Sequence, residues 1–410
     1  MITRLLKPEE SWIWSKVMAV AFEYGLDIAK AKEEAEKEKT EEELKKAAKD
    51  RCFASFAEDG KTVYGCVNSH EYTCRFDGGT YLLGGIGGVS TLPPYRRKGA
   101  IRACITESLK DMYANDFTFS YLFPFSTEYY RKFGYEVAGV AHEWTLNLKD
   151  IRPRDVGGTM EQLFPGDDMS PLLEVYNQCF SDVNMSALRD TYSEELNEKN
   201  FMNDMRYVYL WRNDAGKPRG LMISRKEHKD GKTFLNCTHT FGCRCGFLFC
   251  DAEALNALLF FAKSAFSSDY DAIRFAALPQ QSITSLVGEN NEAECKPFWN
   301  GMLRVVNVQR VLENCRCRGT GSVKITVHDD IIPENTATWQ LTFAPGKPNI
   351  VEKAEEPADA EMSINHFSAL ICGVREAQDV PWMPDVCVLN PDADFTGVFY
   401  LKKNYMMDLF

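Results

Sequence analysis

The residues best suited to chemistry lie between Gly84 and Cys104, in the run Gly-Gly-Ile-Gly-Gly-Val-Ser-Thr-Leu-Pro-Pro-Tyr-Arg-Arg-Lys-Gly-Ala-Ile-Arg-Ala-Cys. An apolar, Gly-rich strand leads into Pro93-Pro94, then a basic turn, then a helix. Apolar Ile101, Ile105, Leu109 and Met112 at helical spacing signal that helix. Arg96, Arg97, Lys98 and Gly99 stand where it begins. A helix start offers unpaired N–H groups and the positive end of the dipole, and a glycine there lets a ligand approach the backbone. These features predict an anion cradle, most naturally for a pyrophosphate. No Gly-x-x-x-x-Gly-Lys-Ser/Thr run is present, which argues against a P-loop. Gly84, Gly85, Gly87 and Gly88 precede the turn and do not form it, so the dinucleotide fingerprint is missing as well.

A basic Arg-x-x-Gly turn between strand and helix resembles motif A of the GNAT acetyltransferases, although Ile101 stands where that motif has Gly or Ala. Further along, Tyr130-Arg131-Lys132-Phe133-Gly134-Tyr135 resembles a Tyr-x-x-Phe-Gly-Tyr pattern of the same enzymes. With Gly88-Val89-Ser90 entering the turn and a chain ending in Phe410, the whole looks like the Eis-type (enhanced intracellular survival) acetyltransferases. The resemblance is specific over Gly88 to Arg102 and Ser126 to Tyr135, and loose elsewhere. It implies an α/β (α+β) architecture: two tandem GNAT folds followed by a sterol-carrier-protein-like α+β domain. It also implies a homohexamer, acetyl-CoA as cosubstrate and acetyl transfer to amines, notably aminoglycosides.

Site roles follow from the resemblance, position by position. Val89, Ser90 and Thr91 would bind the pantetheine arm through their backbones. Arg97, Lys98, Gly99, Ala100, Ile101 and Arg102 would hold the pyrophosphate. Phe125 and Ser126 would line the cofactor arm, Tyr130 would be the general acid, and the carboxylate of Phe410 the general base. The chemistry is coherent. A lysine-like amine, pKa ~10.4, is mostly protonated at neutral pH and must lose a proton to attack a thioester. A carboxylate can attract the cation and take that proton, although an α-carboxyl with pKa ~3.5 is a weak base unless burial raises it. The Val89 N–H is placed to stabilise the oxyanion, and a tyrosine can protonate the departing thiolate. Glu23 and Asp408 are further candidate acids for the ammonium, outside any motif.

Other constellations carry less. The six histidines, at 70, 142, 228, 239, 328 and 366, are scattered, and no Gly-x-Ser-x-Gly elbow is present, so a hydrolase has little support. Cys237, His239, Cys243 and Cys245 fall within nine residues but lack paired Cys-x-x-Cys knuckles, and no metal is expected. The net charge of −12 argues against nucleic acid and favours a cationic small-molecule amine by steering. No window approaches the ~20 apolar residues of a membrane span. Met1-Ile2-Thr3-Arg4 lacks a signal core, and the fourteen cysteines fit a reducing compartment, so a cytoplasmic protein without membrane partners is expected. Two other readings remain open: a protein or peptide lysine N-acetyltransferase, and a non-catalytic acyl-CoA- or lipid-binding protein.

The elements that must position these groups fall into three expected domains: 1–152, a catalytic GNAT domain; 153–298, a degenerate second copy; and 299–410, the sterol-carrier-like domain. In the first, Trp12 to Gly25 and Ala29 to Asp50 read as helices, the second a solvated one rich in charge pairs. Cys52–Ala57 and Thr62–Asn68 read as a hairpin about an acidic-Gly-Lys turn, followed by strands Tyr81–Ser90 and Phe117–Phe123 and a short helix near Tyr129-Tyr130. Tyr207–Trp211 and Gly220–Ser224 repeat that hairpin. Asp251 then caps a helix over 252–266, and a strand follows at 273–276. No basic turn precedes this helix, so the second copy lacks a phosphate site. In the third domain Val305–Val311, Ser322–Val327 and Thr338–Phe343 read as strands, Ile364–Ile371 as a helix, and Glu352–Glu361 as an acidic loop. The final residues are apolar apart from Asp408, which predicts a docked chain end.

Overall fold

A computed structural model describes residues 1–37, 39–152, 154–194, 196, 200–238, 246–281, 283, 293–355 and 357–410. The chain forms two compact units: 1–138 with 301–402 and Phe410, and 139–300 with 403–409. The first begins with β1 (Ile2–Leu5) and α1 (Ser11–Ala21), which buries Ile13, Val17 and Ala19. The expected long charged helix is two short ones, α2 (Ile28–Glu36), capped by Asp27, and α3 (Glu41–Ala48), where Thr40 and Glu43 form a capping box. Asp50, placed by periodicity at the end of that helix, instead opens a strand. The meander β2 (Asp50–Phe56), β3 (Val63–Phe76) and β4 (Gly79–Thr91) is antiparallel. Asp77 and Gly78 turn β3 into β4 with φ of 48° and 91°, a two-residue turn that suits Asp-Gly. Helix α4 (Ala100–Ala114) crosses back to β5 (Phe119–Leu122), which runs parallel to β4. Then come α5 (Thr127–Arg131) and β6 (Glu136–Val137).

The second unit holds β7 (Val140–Asn147), β8 (Thr159–Leu163), α6 (Ser170–Cys179), β9 (Arg206–Arg212), β10 (Pro218–Lys229), β11 (Lys232–Asn236), β12 (Phe247–Phe249), α7 (Ala252–Phe266), β13 (Ala272–Ala277) and β14 (Glu294–Trp299). Strands β9, β10 and β11 are antiparallel, and β13 is parallel to β11 after helix α7. That is the plan of β2, β3, β4, α4 and β5. The match extends to a second turn: Asp230 and Gly231 join β10 to β11 with φ of 51° and 75°, as Asp77 and Gly78 do in the first copy.

The remaining elements are β15 (Met302–Val305), α8 (Val308–Asn314), β16 (Gly321–His328), β17 (Ala337–Phe343), β18 (Ile350–Lys353), β19 (Ala360–Ser363), α9 (Ile364–Ile371) and β20 (Val386–Val388). Strand β15 belongs to the first sheet, in the order β1-β2-β3-β4-β5-β15-β6, while β7 lies in the second sheet. The expected strand at 305–311 is thus corrected. It ends at Val305, and Asn307 caps α8 by accepting from the Arg310 N–H. A third sheet, β18-β17-β16-β19-β20, packs with α9. The first unit's core gathers Phe53, Ile86, Ile105, Leu109 and Phe133, with Met302 and Ile332 from the later segment.

Candidate active site

The basic turn is built as expected. Arg97 has φ 65° and Gly99 φ 84°, two left-handed residues that curl the backbone ahead of α4. At Gly99 this conformation favours glycine, and the space where a Cβ would stand is open. The first intrahelical bond runs from the Ala103 N–H to the Gly99 carbonyl. The N–H groups of Ala100, Ile101 and Arg102 therefore point out of the helix start, and no side chain caps them. Arg96, Arg97, Lys98 and Arg102 are exposed around it. Lys98 Nζ sits 5.6 and 5.2 Å above the Tyr64 and Tyr95 rings, which stack on each other at 4.3 Å.

Upstream, β4 pairs with β5 only from Leu83–Phe119 to Ile86–Leu122, yet continues to Thr91. From Gly87 onward the edge of β4 toward β5 lacks a strand partner in that ladder. Opposite, Cys66 pairs with Ser90 and Asn68 with Gly87, so Gly88 and Val89 bulge against the single residue Val67. Gly88 takes φ 56° in this bulge. Val89 thus stands at an irregularity where the edge of β4 toward β5 is open. The Ser90 hydroxyl turns inward and donates to the Gly88 carbonyl at 3.0 Å.

The glycine run has a function that spacing did not reveal. A Cβ on Gly85 would lie 2.8 Å from the Phe410 ring, and one on Gly87 2.9 Å from the Phe410 carboxyl carbon. These glycines make the berth for the chain end. The Phe410 ring lies 5.1 Å from Tyr72, 5.4 Å from Phe123 and 6.3 Å from Tyr121. Cross-strand partners share a face. Asn68 and His70, opposite Gly87 and Gly85, therefore flank the same berth.

Tyr130 is buried, 2% exposed, within α5, which Ser126 caps by accepting from the Tyr129 N–H. Burial pushes its phenol well above the ordinary value, with Tyr129 and Tyr135 adding to the effect. Phe125 is 72% exposed and packs 5.3 Å from both Tyr129 and Tyr130. The turn after Tyr130 is fixed by the later segment. Asn365 Nδ2 donates to the Arg131 and Tyr135 carbonyls, both at 2.9 Å. Arg304, fully buried and paired with Asp329, donates to the Phe133 carbonyl. Gly134 has φ 82°, and a Cβ there would meet Arg304 at 2.5 Å. The Tyr135 hydroxyl bonds Ser120 at 2.6 Å, and Ser120 donates to the Gly84 carbonyl. No sequence motif pointed to Asn365 or Arg304.

The two acids singled out by sequence do not converge here. Glu23 is exposed at the end of α1, and Asp408 pairs with Arg189 at 2.6 Å within the second unit. Asp50 was missed. Its Oδ1 takes hydrogen bonds from Asn68 Nδ2 at 3.0 Å and His70 Nδ1 at 2.7 Å. Burial raises its pKa, but those bonds outweigh it and hold the carboxyl below its usual range. Asp50, Asn68 and Trp14 line a cavity of about 410 Å³. Among the described residues no group of three metal-ligating side chains converges. Cys237 is buried, while His239, Cys243 and Cys245 lie outside the described residues. No described helix is long and apolar enough to cross a membrane.

Residues 4–138 match the acetyltransferase (GNAT) domain, and residues 308–389 the sterol carrier protein domain. The chain thus carries an acetyltransferase (GNAT) domain in its N-terminal third and a sterol carrier protein domain toward its C-terminal end. Solved structures share its fold from end to end. A probable N-acyltransferase from Enterococcus faecalis superposes with a TM-score of 0.81 at 19% identity, covering 100% of this chain and 99% of that one. A GCN5-related N-acetyltransferase from Anabaena variabilis gives 0.81 at 20%, and Eis1 from Mycobacterium abscessus 0.77 at 16%, each covering 100% of both chains. At such identities the likeness is one of fold. No curated protein matches the chain by sequence.

Proposed function

We propose that the protein is an Eis-type, acetyl-CoA-dependent N-acetyltransferase acting on a primary amine of a cationic acceptor, by direct attack in a ternary complex. The observation that carries this reading is the berth of Phe410. A chain-terminal carboxylate rests against Gly87, one residue from a strand bulge that opens toward a pyrophosphate-type cradle. The Ala100, Ile101 and Arg102 amides, with Arg97 and Lys98, hold the diphosphate of acetyl-CoA. The open edge of β4 at Val89 to Thr91 receives the pantetheine amides as a strand partner would.

The amine nitrogen attacks the thioester carbonyl carbon, and its proton passes to the Phe410 carboxylate, directly or through one water. The Val89 N–H stabilises the oxyanion. As the C–S bond breaks, Tyr130 gives its proton to the sulfur. Its raised pKa keeps it protonated for this role and makes it a poor competitor for the amine's proton. The family resemblance adds aminoglycoside-like or other polyamine acceptors and a homohexamer as expectations.

Release of free CoA from acetyl-CoA, followed with a thiol reagent, tests the proposal. Release that requires an added amine is expected. Tight CoA binding with no turnover on any amine or lysine peptide would assign the protein to acyl-CoA binding instead.

A further inference from the structure

The cavity beside the chain end has a composition that bears on the acceptor. Its walls are mainly apolar: Leu6 and Pro8 from the first turn, Trp14 from α1, Leu44 and Ala47 from α3, and Cys52 from β2. Two buried polar atoms at it have no hydrogen-bond partner among the described residues, Trp14 Nε1 and Asn68 Oδ1. Both stand close to the reacting geometry. Trp14 Nε1 lies 2.8 Å from where a Gly88 Cβ would be, and Asn68 is the cross-strand partner of Gly87, whose own Cβ position abuts the Phe410 carboxyl. Among its described lining residues the cavity has one carboxylate, Asp50, while Arg51 beside it is neutralised by a bidentate pair with Asp111 at 2.5 Å. Lys7 and Lys39 also line the space, and Lys39 Nζ donates to the Pro8 carbonyl at 3.3 Å.

A polycationic, hydroxyl-rich acceptor needs several carboxylates and many polar partners. This cavity offers a single acid and would set further positive charges against two lysines. Its volume suits one small organic molecule. Resting on the transferase reading above, we infer that the acceptor is a primary amine on an apolar body bearing one positive charge. Asp50 and the free Asn68 carbonyl oxygen receive its ammonium, and Trp14 and Leu44 receive its body. The orientation set by His70 and Asn68 keeps the Asp50 carboxylate fixed for that contact.

The test compares kcat/KM of the full-length protein for phenethylamine and hexylamine with that for spermidine and kanamycin, at fixed acetyl-CoA and constant ionic strength. The apolar monoamines are expected to lead by about tenfold or more, the scale on which an apolar pocket discriminates. Asp50→Asn is expected to raise the KM for phenethylamine about tenfold while leaving the KM for acetyl-CoA unchanged, the loss of one charge-assisted contact. A preference for spermidine or kanamycin would overturn this inference and leave the transferase reading intact. Acetylation of no amine at all would overturn both. If Asp50→Asn proves unstable, the wild-type ranking alone decides.

Discussion

Gly87→Ala isolates the contribution of the chain end. Gly87 does not occupy the left-handed region, so a methyl group there strains no backbone. Its Cβ would stand 2.9 Å from the Phe410 carboxyl carbon and 3.4 Å from an oxygen of that carboxylate. Restoring ordinary contact displaces the carboxyl by ~0.5 Å or more. A misplacement of about 1 Å costs a reacting pair on the order of 10²-fold, so kcat should fall roughly 10- to 100-fold, about 1.4 to 2.7 kcal/mol of barrier. The global melt should move little, because the atoms that must shift belong to the single residue Phe410 and the backbone at Gly87 is unstrained. Steady-state thiol release, a thermal melt and CoA calorimetry together read the outcome. Wild-type turnover in Gly87→Ala, or a loss explained wholly by weaker acetyl-CoA binding, would refute the base role of Phe410.

Tyr130→Phe should cut kcat by ~10²–10⁴ with CoA affinity nearly unchanged. Burial raises this phenol, so its acid form persists above the ordinary range. The wild-type kcat profile should accordingly show no alkaline loss from Tyr130 below pH ~10, and a limb near pH 9 that vanishes in Tyr130→Phe would contradict the assignment. Asn365→Ala and Asn365→Asp should both lower kcat by ~5- to 10-fold at unchanged acetyl-CoA KM, since neither side chain can donate to the Arg131 and Tyr135 carbonyls. A fall in Asn365→Ala alone would deny the donor role. Asp329→Ala leaves the buried Arg304 charge unpaired and should destabilise the protein by about 3–5 kcal/mol in denaturant unfolding.

Local chemistry was legible where a signal is local. The turn at Arg96 to Gly99, the helix after it, the cap at Asp251 and the helix over 364–371 all follow from periodicity and capping, and each stands where those rules put it. The docked tail was legible too, from its apolar residues. What periodicity could not supply was pairing between distant strands. Strands β7 and β15 each join a sheet across the boundaries expected near 152 and 299, because a strand's partner is set by packing and not by its neighbours in sequence. The Ala- and Lys-rich run before Asp50 hid a break, although Thr40 with Glu43 is a capping box readable in the sequence. Asp77-Gly78 and Asp230-Gly231 were likewise readable as hairpin turns and would have reinforced the repeat. The clamp from Asn365 and Arg304 has no sequence signature, since it joins residues more than 170 positions apart.

The most direct test is a crystal structure with CoA bound. The diphosphate should lie on the amides of Ala100 to Arg102, with the sulfur within about 3.5 Å of the Tyr130 hydroxyl, the reach of a hydrogen bond, and the Phe410 carboxylate on the acceptor side of the thiol. A diphosphate bound elsewhere, or a sulfur facing away from Tyr130, would contradict it.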